Sequence, residues 1–285
     1  MFIAARVRWA AMGTRARTVR TVCGIVIILV AFLVFTYAPD YGWWVALTGS
    51  ALIIAGGKVA WPTAWRQWLG LDFGRREACC AAMVLVATAG VALALIFAIA
   101  SAAALRYDAL WAQRGDRVHY LHNAAQTLNE EMVLGALLLG TMRRALRGRS
   151  WLAIAILAAA VFSAMHFAFY ACRVVGDWNH GHLSALTLAS LFLVGVIRNT
   201  LILRTGHIAY AWALHLGWNA IFFGGGFYNR AGWPLNEPDR FNQFLGSPLL
   251  FGLLVVALTA MAWWDASANR KATHTGATLR AAAGA

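Results

Sequence analysis

Long apolar runs alternate with short polar connectors along almost the whole chain. Most of the runs approach the roughly 20 residues that an α-helix needs to cross a bilayer. The pattern therefore predicts an all-α, polytopic membrane protein with about eight transmembrane helices that enclose a polar intramembrane cavity. The predicted helices lie at about residues 22–37, 43–60, 78–105, 124–142, 151–170, 183–197, 207–223 and 247–264.

The connectors are too short to hold a separate soluble domain. We therefore expect a single transmembrane domain over residues 22–265. A basic, cytoplasmic segment over residues 1–21 precedes it, and a flexible tail over residues 266–285 follows it. The tail is rich in Ala, Gly and Thr, a composition that favours disorder.

The composition agrees with a membrane protein and changes the meaning of the charge. Hydrophobic residues make up 61% of the 285 residues and charged residues only 12%, whereas soluble proteins are roughly 45–50% apolar. The net charge of +13 comes from arginines that cluster at the ends of apolar runs, which is typical of cytoplasmic loops. We therefore predict the lipid bilayer, and no nucleic acid, as a partner. The expected location is the bacterial inner membrane with both termini cytoplasmic.

Five polar residues interrupt the apolar runs: Glu130, Glu131, His166, His215 and Asn219. A charged side chain at the centre of a membrane helix costs at least about 2.5 kcal/mol, so it usually faces a bundle interior and marks a functional site. In the predicted topology the glutamates lie about two turns from the outer start of the fourth helix. All five residues fall in the outer leaflet, which predicts one polar site between the fourth, fifth and seventh helices.

The spacing of these residues indicates a chemistry. His215 and Asn219 are four residues apart and share one helix face. Glu130 and Glu131 diverge by about 100°, so one should face the cavity and the other a flanking helix. A carboxylate can take a proton from water, and neutral donors can hold a developing oxyanion. The set is therefore suited to acyl transfer to water.

Three motifs carry a resemblance to a known family. They are the paired glutamates Glu130-Glu131, the Phe-x-x-x-His motif at Phe162 and His166, and the His-x-x-x-Asn motif at His215 and Asn219. At these positions the chain resembles the intramembrane CAAX-type proteases and related bacterial proteins, the CPBP or Abi family, over about residues 124–223. The resemblance implies an intramembrane endopeptidase that cleaves a membrane-associated or hydrophobic protein or peptide.

The resemblance also implies roles for the individual residues. Glu130, assisted by His166, would activate water, while His215 and Asn219 would stabilise the oxyanion, and no cofactor is needed. A metal-dependent alternative stays open, in which His166 and His215 with Glu130 would bind zinc and lower the pKa of its water to about 7.

One position departs from the family pattern. The family often has an arginine five residues after the first glutamate, where this chain has Gly135. Glu131 must therefore find another partner, be protonated or contact water. A catalytically silent membrane scaffold, which binds a peptide in a maturation or immunity role through the same cavity, is the alternative that this departure motivates. The oligomeric state and the substrate are not readable from the chain.

Overall fold

The computed structural model of the chain describes residues 13–36, 43–102, 117–171, 183–222 and 244–263. Within these ranges the chain is helical and contains no β-strand. The predicted all-α fold class is therefore confirmed. Residues 1–12 of the basic segment, most of the predicted loops at 106–123, 171–182 and 224–246, and the whole predicted tail lie outside the described residues.

Ten α-helices and two π-helical segments follow one another in the described ranges. The first π segment, Phe32–Thr36, directly continues α1, and the second, Glu131–Leu137, joins α5 to α6 without a break. The helices are α1 (Thr14–Ala31), α2 (Trp43–Ala60), α3 (Trp65–Trp68), α4 (Arg75–Ala102), α5 (Arg117–Glu130), α6 (Leu138–Ala145), α7 (Trp151–Ala171), α8 (Ala185–Thr205), α9 (Ala209–Phe222) and α10 (Pro248–Trp263).

Four of the described helices are long and apolar enough to cross a membrane. They contain the segments Thr14–Phe35, Arg75–Ile99, Trp151–Ala168 and Ala185–Thr205. Helices α2 and α10 are apolar but shorter. The chain is thus an integral membrane protein, whereas the number of eight spans and the domain boundaries stay predictions.

Helix α8 corrects the predicted position of Arg198. The sequence pattern placed the end of this helix at residue 197 and Arg198 in a connector, because the arginine ends an apolar run. The helix instead continues to Thr205 and ends at Gly206, whose φ of +77° is the left-handed conformation that glycine adopts easily after a helix. Arg198 therefore lies about two turns inside a helix that can span the membrane.

Close helix pairs surround α5 and the second π segment. Helix α1 packs on α2, α4 on α9, and α7 on α8. Glycine allows the close approach of α9 to α4, since a methyl group at Gly217 would lie 2.6 Å from the Leu85 carbonyl oxygen. Helix α5 packs against α2 and α9, and α8 contacts the second π segment. The residues that interrupt the apolar pattern are consequently gathered in the middle of the bundle.

Candidate active site

The second π segment carries one of the paired glutamates, and the other immediately precedes it. All seven of its residues, Glu131–Leu137, are buried. The helical run begins at Arg117 rather than at the predicted residue 124, so Glu130 lies 13 residues, or about 20 Å, from its start. The glutamates are therefore near the middle of the run. Single π turns inside α-helices are frequent at functional sites, because they change the direction of the side chains that follow.

Hydrogen bonds to two neighbouring helices fix the turn just before the glutamates. Asn129 is fully buried, accepts a hydrogen bond of 2.6 Å from the Ser50 hydroxyl and donates one of 3.1 Å to the Ala46 carbonyl oxygen of α2. On the other side, the Trp212 indole of α9 donates to the Thr127 hydroxyl at 3.1 Å. These contacts position α5 between α2 and α9 and so set the direction of Glu130 and Glu131.

His215 lies between the two glutamates. Its Nδ1 atom is 3.0 Å from Glu131 Oε1, a hydrogen bond, and its Nε2 atom is 3.7 Å from Glu130 Oε2. Glu130 is 4% exposed and Glu131 is fully buried. Both glutamates thus contact the same imidazole, whereas the helical angle predicted that one of them would face away. The π geometry at Glu131 and the position of His215 in the middle of α9 account for the difference.

His166 approaches this group from α7. Its Nδ1 is 2.8 Å from the Phe162 carbonyl oxygen, and since a carbonyl only accepts, Nδ1 carries the proton. The Nε2 atom of the neutral ring therefore presents a lone pair. His166 is within electrostatic range of Glu130 and His215, so the second motif meets the first and the third.

Asn219 lies one turn beyond His215 on α9 and is half-buried. They are four positions apart on a continuous helix, so the two side chains share a face, as predicted. The helix that brings the imidazole to the glutamates therefore also carries an amide on the same side.

Arg198 is a member of the site that the sequence interpretation missed. Only 1% exposed, it approaches Glu131 from α8, with 3.4 Å between Nε and Oε2. The two groups form an ion pair at this distance but not an aligned hydrogen bond. The guanidinium also donates to the Leu134 carbonyl oxygen at 2.7 Å. We call Glu130, Glu131, Arg198 and His215 the ionic cluster.

Two sequence signals could have identified Arg198. The dipeptide Thr205-Gly206 is a better helix end than the arginine itself, because glycine is the usual residue after a helix C-terminus. With that end, Arg198 is an ionisable residue inside a membrane helix, which is a functional-site hypothesis by default. The positive-inside rule instead favoured a loop.

The motif phenylalanine also has a contact that its sequence position did not suggest. The ring of Phe162 lies 4.4 Å from the His166 ring and 4.3 Å from the guanidinium carbon of Arg198. A cation over an aromatic face is attracted by the quadrupole of the ring. Phe162 therefore joins His166 to the ionic cluster and is more than a packing residue.

The metal-dependent alternative can be compared with the arrangement of its proposed ligands. No group of three His, Cys, Asp or Glu side chains with the arrangement of a metal site occurs in the described parts of the chain. His215 Nδ1 bonds to Glu131 and His166 Nδ1 to a backbone carbonyl, which leaves the Nε2 atom of each ring as the possible ligand. The metal-dependent alternative therefore stays a prediction, and the mechanism below includes no step through a metal.

Taken together, the described side chains can perform acid–base chemistry in a site whose two glutamates are buried and whose histidines and Asn219 are partly exposed. They provide a carboxylate without a direct hydrogen bond at Oε2 among the described residues, a second carboxylate compensated by arginine, and a histidine with a free lone pair. A carboxylate and an imidazole positioned in this way are typical of proton transfer during hydrolysis.

Comparisons with known proteins agree with the motifs. No curated protein and no solved structure matches the chain. A family model does match, over residues 118–221, and its description is Type II CAAX prenyl endopeptidase Rce1-like. That range contains both glutamates, both histidines, Asn219 and Arg198. Residues 118–221 therefore match an Rce1-like family model, in agreement with the CAAX protease family that the three motifs resemble.

Proposed function

We propose that the chain is an intramembrane endopeptidase of the CAAX type, which hydrolyses a peptide bond of a membrane-associated or hydrophobic protein with water activated by Glu130. The observation that carries the proposal is the position of His215 between the paired glutamates, with Nδ1 on Glu131 and Nε2 beside Glu130. Charged groups inside a membrane bundle are costly, and an arrangement of this kind is expected where it performs chemistry.

The reaction begins with deprotonation of water. Glu130 accepts one proton, assisted by the Nε2 lone pair of His166, while the water oxygen bonds to the peptide carbonyl carbon. The carbonyl oxygen becomes an oxyanion, to which the Asn219 amide donates a hydrogen bond. His215 Nε2 lies 3.7 Å from Glu130, which is too far for a direct hydrogen bond. When the imidazole is protonated, Nε2 can therefore donate a hydrogen bond to the oxyanion.

The second step reverses the direction of the proton. The oxyanion collapses, the carbon–nitrogen bond breaks, and the protonated Glu130 gives its proton to the leaving amine. Glu130 is then ionised again, and the products are a carboxylic acid and an amine. Burial of the site strengthens each of these interactions, because water that would screen them is excluded.

The family description indicates a class of substrate rather than a particular protein. The matching family model is described as a prenyl endopeptidase, so a peptide with a prenylated cysteine near its C-terminus is one arm of the test, and a hydrophobic peptide without a lipid is the other. We propose the bacterial inner membrane as the location, with both termini cytoplasmic, because arginines such as Arg143 and Arg147 follow apolar helices.

The test uses full-length protein in proteoliposomes with internally quenched peptides of both kinds, and mass spectrometry of the products. Glu130→Gln and His215→Ala should each lower kcat by about 10²–10⁴-fold, the usual contribution of acid–base groups. Glu77→Gln is the matched control, since it is the same change at a partly exposed carboxylate outside the site. Full turnover in both site variants would overturn the proposal.

The alternative of a catalytically silent scaffold rested on the glycine at position 135. Because Arg198 supplies a cation to Glu131 from another helix, that motive is lost. A scaffold would still be supported if the Glu130→Ala protein restored the phenotype of a deletion strain. We do not favour it.

A further inference from the structure

A buried arginine outside the three motifs needs an explanation. Arg198 is among the largest fully buried side chains of the described residues, and it lies in a helix able to span the membrane. A buried charge is stable only when it is paired, and breaking such a pair leaves an uncompensated charge. The partners of Arg198 should therefore reveal what it does.

Three contacts of Arg198 lead to the site. The guanidinium pairs with Glu131 Oε2 at 3.4 Å, donates to the Leu134 carbonyl oxygen at 2.7 Å and lies on the face of the Phe162 ring at 4.3 Å. Two of these partners belong to the second π segment and the third to the Phe-x-x-x-His motif. One side chain of α8 thus joins the first motif to the second.

Gly135 lies beside this approach. A methyl group at Gly135 would lie 2.8 Å from Ile202 Cδ1 and 3.0 Å from Glu131 Oε2. Ile202 is one turn after Arg198 on α8, so α8 lies next to the π segment at Gly135 as well as at Glu131. Position 135, where the family pattern has an arginine, and Arg198 therefore both lie beside Glu131 Oε2.

The carboxylate of Glu131 divides its oxygens between two partners. Oε2 faces Arg198 and Oε1 accepts from His215 Nδ1. A hydrogen bond to one imidazole nitrogen decides which tautomer the ring adopts and how it is oriented. Without Arg198 the buried charge of Glu131 would be uncompensated, and the carboxylate would no longer be held in the position that bonds to His215.

We propose that Arg198 is a positioning residue for this site: it compensates the buried charge of Glu131, and the pair fixes the tautomer and orientation of His215. Arg198 thereby does from α8 what an arginine at position 135 would do from the π segment. This inference rests on the proposed function, because it assigns Arg198 to the same hydrolytic site.

The first test separates positioning from general damage. Arg198→Leu should lower kcat by about 10²–10⁴-fold, the contribution of a correctly protonated acid–base group, while KM stays within about twofold, because Arg198 does not contact the substrate. Arg198→Lys should recover part of the loss, since it keeps the charge. Arg204→Leu, the same change six residues further along α8 at an exposed arginine, is the matched control. An equal kcat for wild type and Arg198→Leu would overturn the inference.

The second test moves the arginine. Arg198→Leu is combined with Gly135→Arg and with Ile202→Ala, the last change making room for the new side chain. We expect kcat at least about tenfold above that of Arg198→Leu with Ile202→Ala, because acid–base positioning is worth at least this much. Ile202→Ala alone should keep wild-type kcat. No gain in a triple variant that folds would show that Arg198 does not act in place of an arginine at 135.

The third test does not need a substrate. The thermal unfolding midpoint is measured in detergent for Arg198→Leu, Glu131→Gln and the double variant. If Arg198 compensates the charge of Glu131, the double variant unfolds at a higher temperature than Arg198→Leu alone. Additive losses would overturn the inference. A wild type that cleaves no peptide but shows this coupling would instead contradict the proposed function and leave the charge compensation supported.

Discussion

The α1–α2 pair and the ionic cluster hold helices together in opposite ways. In the α1–α2 pair the backbones nearly touch, since a methyl group at Gly56 would lie 2.7 Å from the Gly24 carbonyl oxygen and 2.8 Å from Ile28 Cγ1. In the ionic cluster, α8 and α9 reach the second π segment through the charged and polar side chains of Arg198 and His215.

The difference indicates which of the two regions is built for stability. Lipid is as apolar as leucine, so membrane helices associate through close packing of small residues rather than through the hydrophobic effect. A buried ion pair is often no more stable than a well-packed apolar replacement. The α1–α2 pair therefore fits a structural role, whereas the retention of charges in the ionic cluster is best explained by chemistry.

Removal of the Glu131 carboxylate, which accepts from His215 and pairs with Arg198, should have the largest effect on stability. Glu131→Leu leaves Arg198 and the Nδ1 of His215 without their acceptor and should lower the free energy of unfolding by about 3–5 kcal/mol. Reversible SDS titration in mixed micelles measures this change. Glu77→Leu is the control, because this partly exposed carboxylate lies outside the ionic cluster and accepts a hydrogen bond from the Gly74 N–H. A loss below that of the control would show that the ionic cluster is not a paired unit.

A large side chain at Gly56, where α1 and α2 meet, should cause the next largest loss of stability. Gly56→Leu forces α1 and α2 apart and should cost about 1–3 kcal/mol, the usual range for overpacking. Gly90→Leu in α4 is the control, because a methyl group there meets no atom within 4 Å. The same SDS titration compares the two variants, and equal stabilities would contradict the close packing of α1 and α2.

A smaller loss is expected from the hydrogen bonds that position α5. Ser50→Ala removes the hydroxyl that donates to Asn129 and should cost about 0.6–1.7 kcal/mol, as interhelical hydrogen bonds in membranes do. Thr48→Ala is the control, since among the described residues this exposed hydroxyl bonds only to the carbonyl of Trp44 in its own helix. If both changes have the same effect, the contact between α2 and α5 does not depend on Asn129.

The smallest effect should come from the indole of α9. Trp212→Phe keeps the aromatic ring but loses the N–H that is shared between the Thr127 hydroxyl and the Ala124 carbonyl oxygen, and should cost about 0.6 kcal/mol. A double-mutant cycle with Thr127→Val measures the coupling energy between the two side chains. A coupling energy of zero would mean that the remaining packing of α9 on α5, rather than this bond, positions His215.

The sequence predicted the architecture better than it predicted the helix ends. Helix α2 has the predicted bounds, and α7 differs by one residue at its end, because continuous apolar runs with clear turn signals define them. Helix α5 begins earlier than predicted, since its first residues are polar and give no hydropathy signal. Helix α8 ends later, because one arginine was interpreted as the end of a span.

In the site, too, the sequence identified some features and not others. Glu130, Glu131, His166, His215 and Asn219 could be identified because carboxylates and imidazoles in apolar runs are unusual, and because their spacing resembles three family motifs. Their catalytic roles stay predictions. The partners of Arg198, Asn129 and Trp212 could not be predicted, since each partner lies more than 60 residues away in the chain.

The sequence by itself determined that this is a helical membrane protein and which residue types are available for chemistry, because hydropathy and local spacing depend only on near neighbours. Tertiary structure decided which side chains meet. It placed His215 between both glutamates, and it brought Arg198 from α8 to the place beside Glu131 that Gly135 leaves open. The physical reason is that charge compensation inside a membrane depends on distance in space, which the linear order of residues does not encode.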